Sequence, residues 1–136
     1  MEANILILLL SLFFCHFLAD FTHLSTNWML KAKRFGSPLL PILAHAFVHA
    51  ALMATTLEIY CHCTISGYET KIFELTRVDK LFFLQLVTHF LIDFWKGRMN
   101  FWFPTLTDPS NKFFWWLFGF DQLLHGIVIL VMVYLL

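Results

Sequence analysis

Four long apolar segments dominate this 136-residue chain and leave it few ways to fold. A helix that crosses the hydrocarbon core of a bilayer needs about 17 to 25 predominantly apolar residues. Such segments cover residues 3–23, 38–60, 79–95 and 113–136. Only 13% of the residues are charged, whereas a soluble domain carries about 25%. A chain this small cannot bury so much apolar surface in one core, so we expect lipid to cover part of it.

Short connections join the four segments and constrain how they pack. They cover residues 24–37, 61–78 and 96–112. Connections of this length place sequential helices beside each other in antiparallel order. The sequence therefore predicts an all-α fold, a single transmembrane domain over residues 1–136, built as an antiparallel four-helix bundle.

The basic residues mark one face of this predicted bundle. The first and third connections carry six of them, Lys31, Lys33, Arg34, Lys96, Arg98 and Lys112. All five tryptophans lie at or near the same face, as expected of an interfacial belt. Because basic residues near helix ends tend to stay cytoplasmic, we predict a cytoplasmic basic face and both termini outside. The formal net charge is zero, which gives no basis for a nucleic-acid partner.

Each predicted helix also carries one pair of metal-ligating side chains four residues apart, on one face of the helix. The pairs are His16 and Asp20, His45 and His49, His89 and Asp93, and Asp121 and His125. They lie toward the ends of the first and third helices and toward the starts of the second and fourth. Antiparallel packing therefore brings all four pairs to one depth, near the basic face.

Carboxylates at this depth need partners, because an ionised aspartate costs about 2.5–3.5 kcal/mol at the centre of a membrane helix. Asp20, Asp93 and Asp121 each lie four residues from a histidine. Imidazole and carboxylate together suit a divalent metal, zinc first, with iron or manganese as alternatives. Eight ligands are enough for two ions that share a bridging carboxylate. The three aspartates are then also the candidate catalytic residues, although polar pairs can equally join helices or relay protons.

Other polar residues near the pairs have two interpretations each. Lys96 and Arg98 are candidates for binding an anionic substrate, or they extend toward lipid headgroups; Lys31 and Lys33 share this ambiguity. Gln85 precedes His89 by one turn, where it either orients that ligand or simply packs between helices.

The motifs HFLADF, HAFVH, HFLIDFWK and DQLLH together resemble a family of small, uncharacterised bacterial membrane proteins. That family is in turn similar to membrane-bound metal-dependent hydrolases. The resemblance covers all four predicted helices. It implies an integral protein of a prokaryotic inner membrane, with a metal site at the eight paired residues.

We therefore predict an intramembrane metal-dependent hydrolase that acts on an amphiphilic or lipid-like substrate near the interface. A divalent metal transporter or sensor, a haem protein with axial histidines and a purely structural protein are the alternatives. The expected partners are the bilayer and the substrate, and assembly into a homo-oligomer stays open.

Overall fold

A computed structural model describes residues 2–64 and 68–136 of the chain, and these residues are almost entirely helical. The helices are α1 (Glu2–Phe21), α2 (Asn27–Phe35), α3 (Leu39–Thr64), α4 (Tyr68–Trp102) and α5 (Lys112–Leu135). A 3-10 turn at Pro104–Thr107 joins α4 to α5. No strand occurs in the two described ranges. The predicted all-α class is thus confirmed, and the described ranges contain five helices where the sequence predicted four.

The additional helix is α2, which lies within the first predicted connection. Its N-cap is Thr26, whose hydroxyl accepts a hydrogen bond from the backbone N–H of Met29. Its C-cap is Gly36, in the left-handed conformation at φ +68°, which glycine adopts without steric cost. These two caps delimit a nine-residue helix in a stretch whose polar composition suggested a loop.

Helix α4 extends beyond the predicted segment 79–95 at both ends. Of the predicted connection 61–78, residues 65–67 lie outside the described chain, and the remainder belongs to α3 and α4. The third connection is likewise shorter than predicted, because α4 continues to Trp102.

Three of the described helices are long and apolar enough to cross a membrane: α3, α5 and, in α1, the segment Asn4–Phe21. Helix α4 does not meet this criterion, although it is the longest. Its sequence is interrupted by Gln85, His89, Asp93 and Lys96. These four residues, together with the polar ends of the helix, lower its hydropathy, and they lie at the site described below.

The four long helices contact each other in a ring. Helix α1 packs against α3 and α5, helix α4 packs against the same two, and α2 lies across α3 and α4. Each long helix buries one narrow stripe, as in α5, where Asp121, His125, Ile129 and Met132 are buried. Large apolar residues on the outer faces, such as Phe14, are more than half exposed. This distribution, with ionisable side chains buried inside the ring and large apolar side chains exposed outside it, suits a surrounding lipid phase.

The interior has two levels, one apolar and one polar. The apolar level is formed by the first half of α1, the second half of α3, the first half of α4 and the second half of α5. Its buried residues are Leu8, Leu12, Met53, Leu57, Cys61, Val78, Leu81, Ile129 and Met132. The opposite halves of the same helices form the polar level, which holds the paired histidines and aspartates.

Candidate metal centre

Five histidine rings from four helices form the centre of the polar level. They belong to His16, His45, His49, His89 and His125. The rings of His49 and His89 are stacked with centroids 3.7 Å apart, and His125 lies 4.1 Å from His89 on the other side. The centroid of His16 lies 4.9 Å from that of His49 and 5.0 Å from that of His125. The five histidines that were predicted from the helix faces to share one depth thus lie together.

The three aspartates surround these rings. Asp20 Oδ1 lies 3.1 Å from His45 Nε2, and Asp93 Oδ2 lies 3.4 Å from His89 Nε2. Asp121 Oδ1 lies 3.6 Å from His125 Nε2. Asp93 and Asp121 are both completely buried. All eight residues predicted from the sequence therefore meet in one cluster.

Within the cluster, two sets of residues have ligand atoms close enough together to hold a metal ion, all within 4.8 Å of one another. The first set is Asp20, His45, His49 and His89, and the second is His89, Asp93 and His125. The sets share His89, so they are overlapping parts of one site. His16 and Asp121 adjoin these sets without belonging to either, with His16 Nε2 3.4 Å from Asp20 Oδ2.

Many polar atoms of the cluster are buried without a hydrogen-bond partner. They include both ring nitrogens of His16, His49 and His125, Nε2 of His89 and both carboxylate oxygens of Asp93. A buried polar atom without a partner costs about 1–3 kcal/mol. A coordinated cation satisfies such lone pairs, and this mixture of imidazole and carboxylate suits zinc, iron or manganese. The residues present therefore fit a divalent metal.

Lys33 of α2 reaches into the same cluster. Its Nζ lies 2.7 Å from Asp20 Oδ1, 2.9 Å from His45 Nε2 and 3.3 Å from Asp93 Oδ1. Burial disfavours its charged form, but the carboxylates of Asp93 and Asp20 outweigh burial and raise the pKa of Lys33 above its usual value. An ammonium group thus lies where carboxylates from α1 and α4 converge.

Ser25 fixes the tautomer of the neutral His45 ring. The hydroxyl of Ser25 donates to the carbonyl oxygen of Ala19 at 2.8 Å, and its Oγ lies 3.1 Å from Nδ1 of His45. A hydroxyl has one proton to donate, so here it accepts from His45 Nδ1–H. In the neutral ring, Nε2 then presents its lone pair to the cluster, as a metal ligand must.

Gln85 contacts His89 in a similar way, with its Nε2 3.3 Å from Nδ1 of the histidine. Its Oε1 is buried without a hydrogen-bond partner. Rotating the amide by 180° offers that oxygen to Nδ1–H and leaves Nε2 of His89 free to bind a metal. Of the two interpretations above, the contact with His89 agrees with the orienting one.

The two weaker candidates lie in different surroundings. Lys96 Nζ lies 2.6 Å from Asp121 Oδ2, at the edge of the cluster. Arg98 instead places its guanidinium over the rings of Phe101 and Trp102, 4.8 and 5.3 Å from their centroids. The structure thus brings Lys96 to the site, whereas Arg98 contacts aromatic rings of its own helix.

A cavity of about 160 Å³ opens onto the cluster between α1, α2, α4 and α5. Its polar lining residues are Asp20, Lys33, Lys96, Asp121 and Gln122, and its apolar ones are Phe21, Leu30 and Phe118. This volume accommodates several water molecules. The cluster is therefore accessible from the end of the ring that carries α2.

Residues 7–136 match the model of a family described as a protein of unknown function, DUF3307. The chain belongs to the DUF3307 family. The match covers every paired histidine and aspartate, so the cluster lies wholly within the DUF3307 region. No curated protein and no solved structure matches the chain. The uncharacterised membrane family predicted from the motifs is consistent with DUF3307, and the similarity to metal-dependent hydrolases stays a prediction.

Proposed function

We propose that all four long helices cross the bilayer as an antiparallel bundle and hold one or two divalent metal ions in the His/Asp cluster. The apolar level is built from the first halves of α1 and α4 and the second halves of α3 and α5, and the polar level from the opposite halves. This alternation supports an antiparallel arrangement. We include α4 among the membrane-crossing helices because it packs between α3 and α5, which are both long and apolar enough to cross a membrane. Its polar stripe, Gln85, His89 and Asp93, is buried within the ring. Its hydropathy is therefore low on the face that lipid does not touch.

We further propose that the bundle is a hydrolase for an amphiphilic or lipid-like substrate. A divalent ion in this ligand set supplies Lewis-acid chemistry, which polarises an ester or phosphoryl oxygen and lowers the pKa of water toward neutrality. Asp20 and Asp93 belong to the two ligand sets, whereas Asp121 lies outside both. Asp121 Oδ2 accepts hydrogen bonds from Lys96 and Gln122, and its Oδ1 accepts none. Asp121 is thus the carboxylate best placed to accept a proton from water at the cavity.

The observation that carries the proposal is the convergence of eight ligand side chains from four helices at one buried level, where many of their nitrogen and oxygen atoms have no hydrogen bond. Helix-to-helix hydrogen bonding alone would leave fewer of these atoms unpaired, since polar groups in membrane interiors normally pair with each other.

Elemental analysis of the protein, purified in non-ionic detergent, tests the metal centre. We expect at least about one equivalent of a transition metal per chain, and Asp93→Asn, which keeps the side-chain volume, should remove at least about half of it, since a neutral amide is a far weaker ligand. Asp108→Asn is the matched control, because that exposed carboxylate caps the turn at Ser110, outside the cluster. Equal metal content in all three proteins would contradict the proposal.

Hydrolysis is tested with a panel of short-chain lipid esters and lipid phosphates. Metal-dependent turnover of at least one, reduced about 100-fold or more by Asp121→Asn, is the expected result. Full metal occupancy without turnover on the panel would leave the metal site standing and refute the hydrolase.

A further inference from the structure

Charge balance at the cluster points to the chemistry of its substrate, an inference that rests on the proposed metal centre. Asp20, Asp93 and Asp121 carry three negative charges, and Lys33 and Lys96 carry two positive ones within 2.6–3.3 Å of them. Counted with neutral imidazoles, the form in which histidine binds a metal, these five groups sum to one net negative charge. A single divalent ion changes this to one net positive charge, and a second ion to three.

A bound divalent ion would also act on the two ammonium groups. Lys33 pairs with Asp20 and Asp93, for which the ion would compete, and Lys96 pairs with Asp121, which lies beside the ligand sets. The positive charge of the ion would repel both ammonium groups, whose side chains are largely buried, 13% and 18% exposed. Unpaired charges are costly in such surroundings. Once metal is bound, Lys33 and Lys96 therefore need an anion, and both line the cavity that leads to the cluster.

The rest of the cavity indicates what else the anion carries. Phe21, Leu30 and Phe118 line its apolar side, and Phe21 and Leu30 are also about half exposed on the outer surface. A ligand with a charged group between the lysines could thus extend an apolar chain along these residues into lipid.

We propose that the metal-loaded site binds the phosphate group of an anionic amphiphile, with Lys33 and Lys96 as its binding residues. The lysines neutralise the aspartates in the metal-free protein and transfer to the phosphate when metal is present. Metal and anionic substrate therefore bind cooperatively, because each supplies the charge that the other requires.

Calorimetry in non-ionic detergent tests this with three probes: inorganic phosphate, the phosphonate analogue of dioctanoyl phosphatidic acid, which resists hydrolysis, and uncharged dioctanoylglycerol. Each is titrated into Zn²⁺-loaded and chelator-stripped protein. We expect the phosphonate to bind the loaded protein about tenfold or more tightly than the stripped protein. Inorganic phosphate should bind more weakly than the phosphonate, because it makes no apolar contacts, and dioctanoylglycerol should show no metal dependence.

Substitutions of single lysines distinguish phosphate binding by Lys33 and Lys96 from a general effect of positive charge on the surface. Lys33→Gln and Lys96→Gln should each weaken phosphonate binding about tenfold, and Lys33→Arg should largely retain it. Lys31→Gln, on the same short helix but exposed, is the matched control and should bind as wild type. Bound zinc, measured in every variant, reports that the cluster is intact.

Equal phosphonate affinity with and without zinc, or equal effects of Lys33→Gln and Lys31→Gln, would overturn this inference while leaving the metal centre intact. Inorganic phosphate binding as tightly as the phosphonate would refute the amphiphile. A wild-type protein that takes up no zinc would instead refute the proposed function itself.

Discussion

His45 shows how a single hydroxyl prepares a ligand at the residue scale. Its Nδ1 is bound to Ser25, which is in turn held by the carbonyl oxygen of Ala19 at the end of α1. The ring is therefore fixed both in orientation and in tautomer, and Nε2 faces Asp20 and Lys33. Partners of this kind raise metal affinity by removing the cost of ordering the ligand.

Replacing Ser25 should therefore weaken metal binding without touching a ligand. We expect Ser25→Ala to lower the affinity for zinc about 10- to 100-fold, measured by competition with a chromogenic chelator, while the stoichiometry at saturation stays the same. Ser11→Ala is the control, because that hydroxyl bonds only to the carbonyl oxygen of Ile7 within α1. Equal affinities in the two variants would show that Ser25 does not orient the ligand.

The eight ligand candidates were predictable from sequence because their i, i+4 spacing alone places each pair on one helix face. Ser25 and the role of Lys33 were not. Lys31 and Lys33 lie two residues apart on the same short helix, and only the way α2 packs on α3 and α4 directs Lys33 inward and leaves Lys31 exposed. Ser25 lies in a loop, where the sequence does not encode which side chain it will face.

At the scale of elements, α2 depends on a close approach to α4. A Cβ placed on Gly97 would overlap the backbone of Gly36 and lie 2.6 Å from the carbonyl oxygen of Lys33. The two glycines thus allow the end of α2 to lie directly on the backbone of α4. This contact sets the position from which Lys33 reaches the cluster.

Gly97→Ala should push α2 away from α4. Because the overlap is with backbone, which cannot rotate aside, we expect a loss of about 1–3 kcal/mol in stability, measured by thermal unfolding in detergent. Gly119→Ala in α5 is the matched control, since nothing lies within 4 Å of its Cβ position. There the greater helix propensity of alanine should stabilise by up to about 1 kcal/mol. A Gly97→Ala protein as stable as Gly119→Ala would show that the contact is dispensable.

The elements were predictable to different degrees. Hydropathy identified α1, α3 and α5 because their apolar residues are continuous. It underestimated α4, whose ends are polar, and it missed α2, which is too short and too polar to register. The caps at Thr26 and Gly36 are readable signals of a helix, and weighing them would have revealed α2 from sequence.

At the scale of the whole molecule, the proposed bundle requires the two ends of the ring to lie on opposite sides of the bilayer. Cys63, near the end of α3, is exposed, and Ser110 precedes α5 at the other end. Two single-cysteine variants test this, one that keeps only Cys63 and one whose only cysteine is introduced by Ser110→Cys. The two thiols should react with a membrane-impermeant maleimide from opposite sides of the membrane. The basic face predicts that position 110 is cytoplasmic.

Labelling of both positions from one side of intact cells or oriented vesicles would contradict a four-span bundle. Lysis in detergent, after which both thiols should react, is the control for accessibility. Labelling from opposite sides with position 110 outside would keep the bundle and reverse only its orientation.

The apolar level of the interior has a consequence for the passage of ions and polar molecules through the ring of helices. Leu12, Met53, Leu57, Ile129 and Met132 are fully buried directly beyond the histidines, so among these buried side chains no chain of polar groups continues from the cluster to the opposite end of the ring. The cavity lined by Asp20, Lys33 and Asp121 reaches the cluster from the α2 end, on the other side of the histidines from this apolar level. In the proposed bundle, substrate, product and metal would therefore exchange with the compartment on that side, and the apolar level would separate the site from the opposite one.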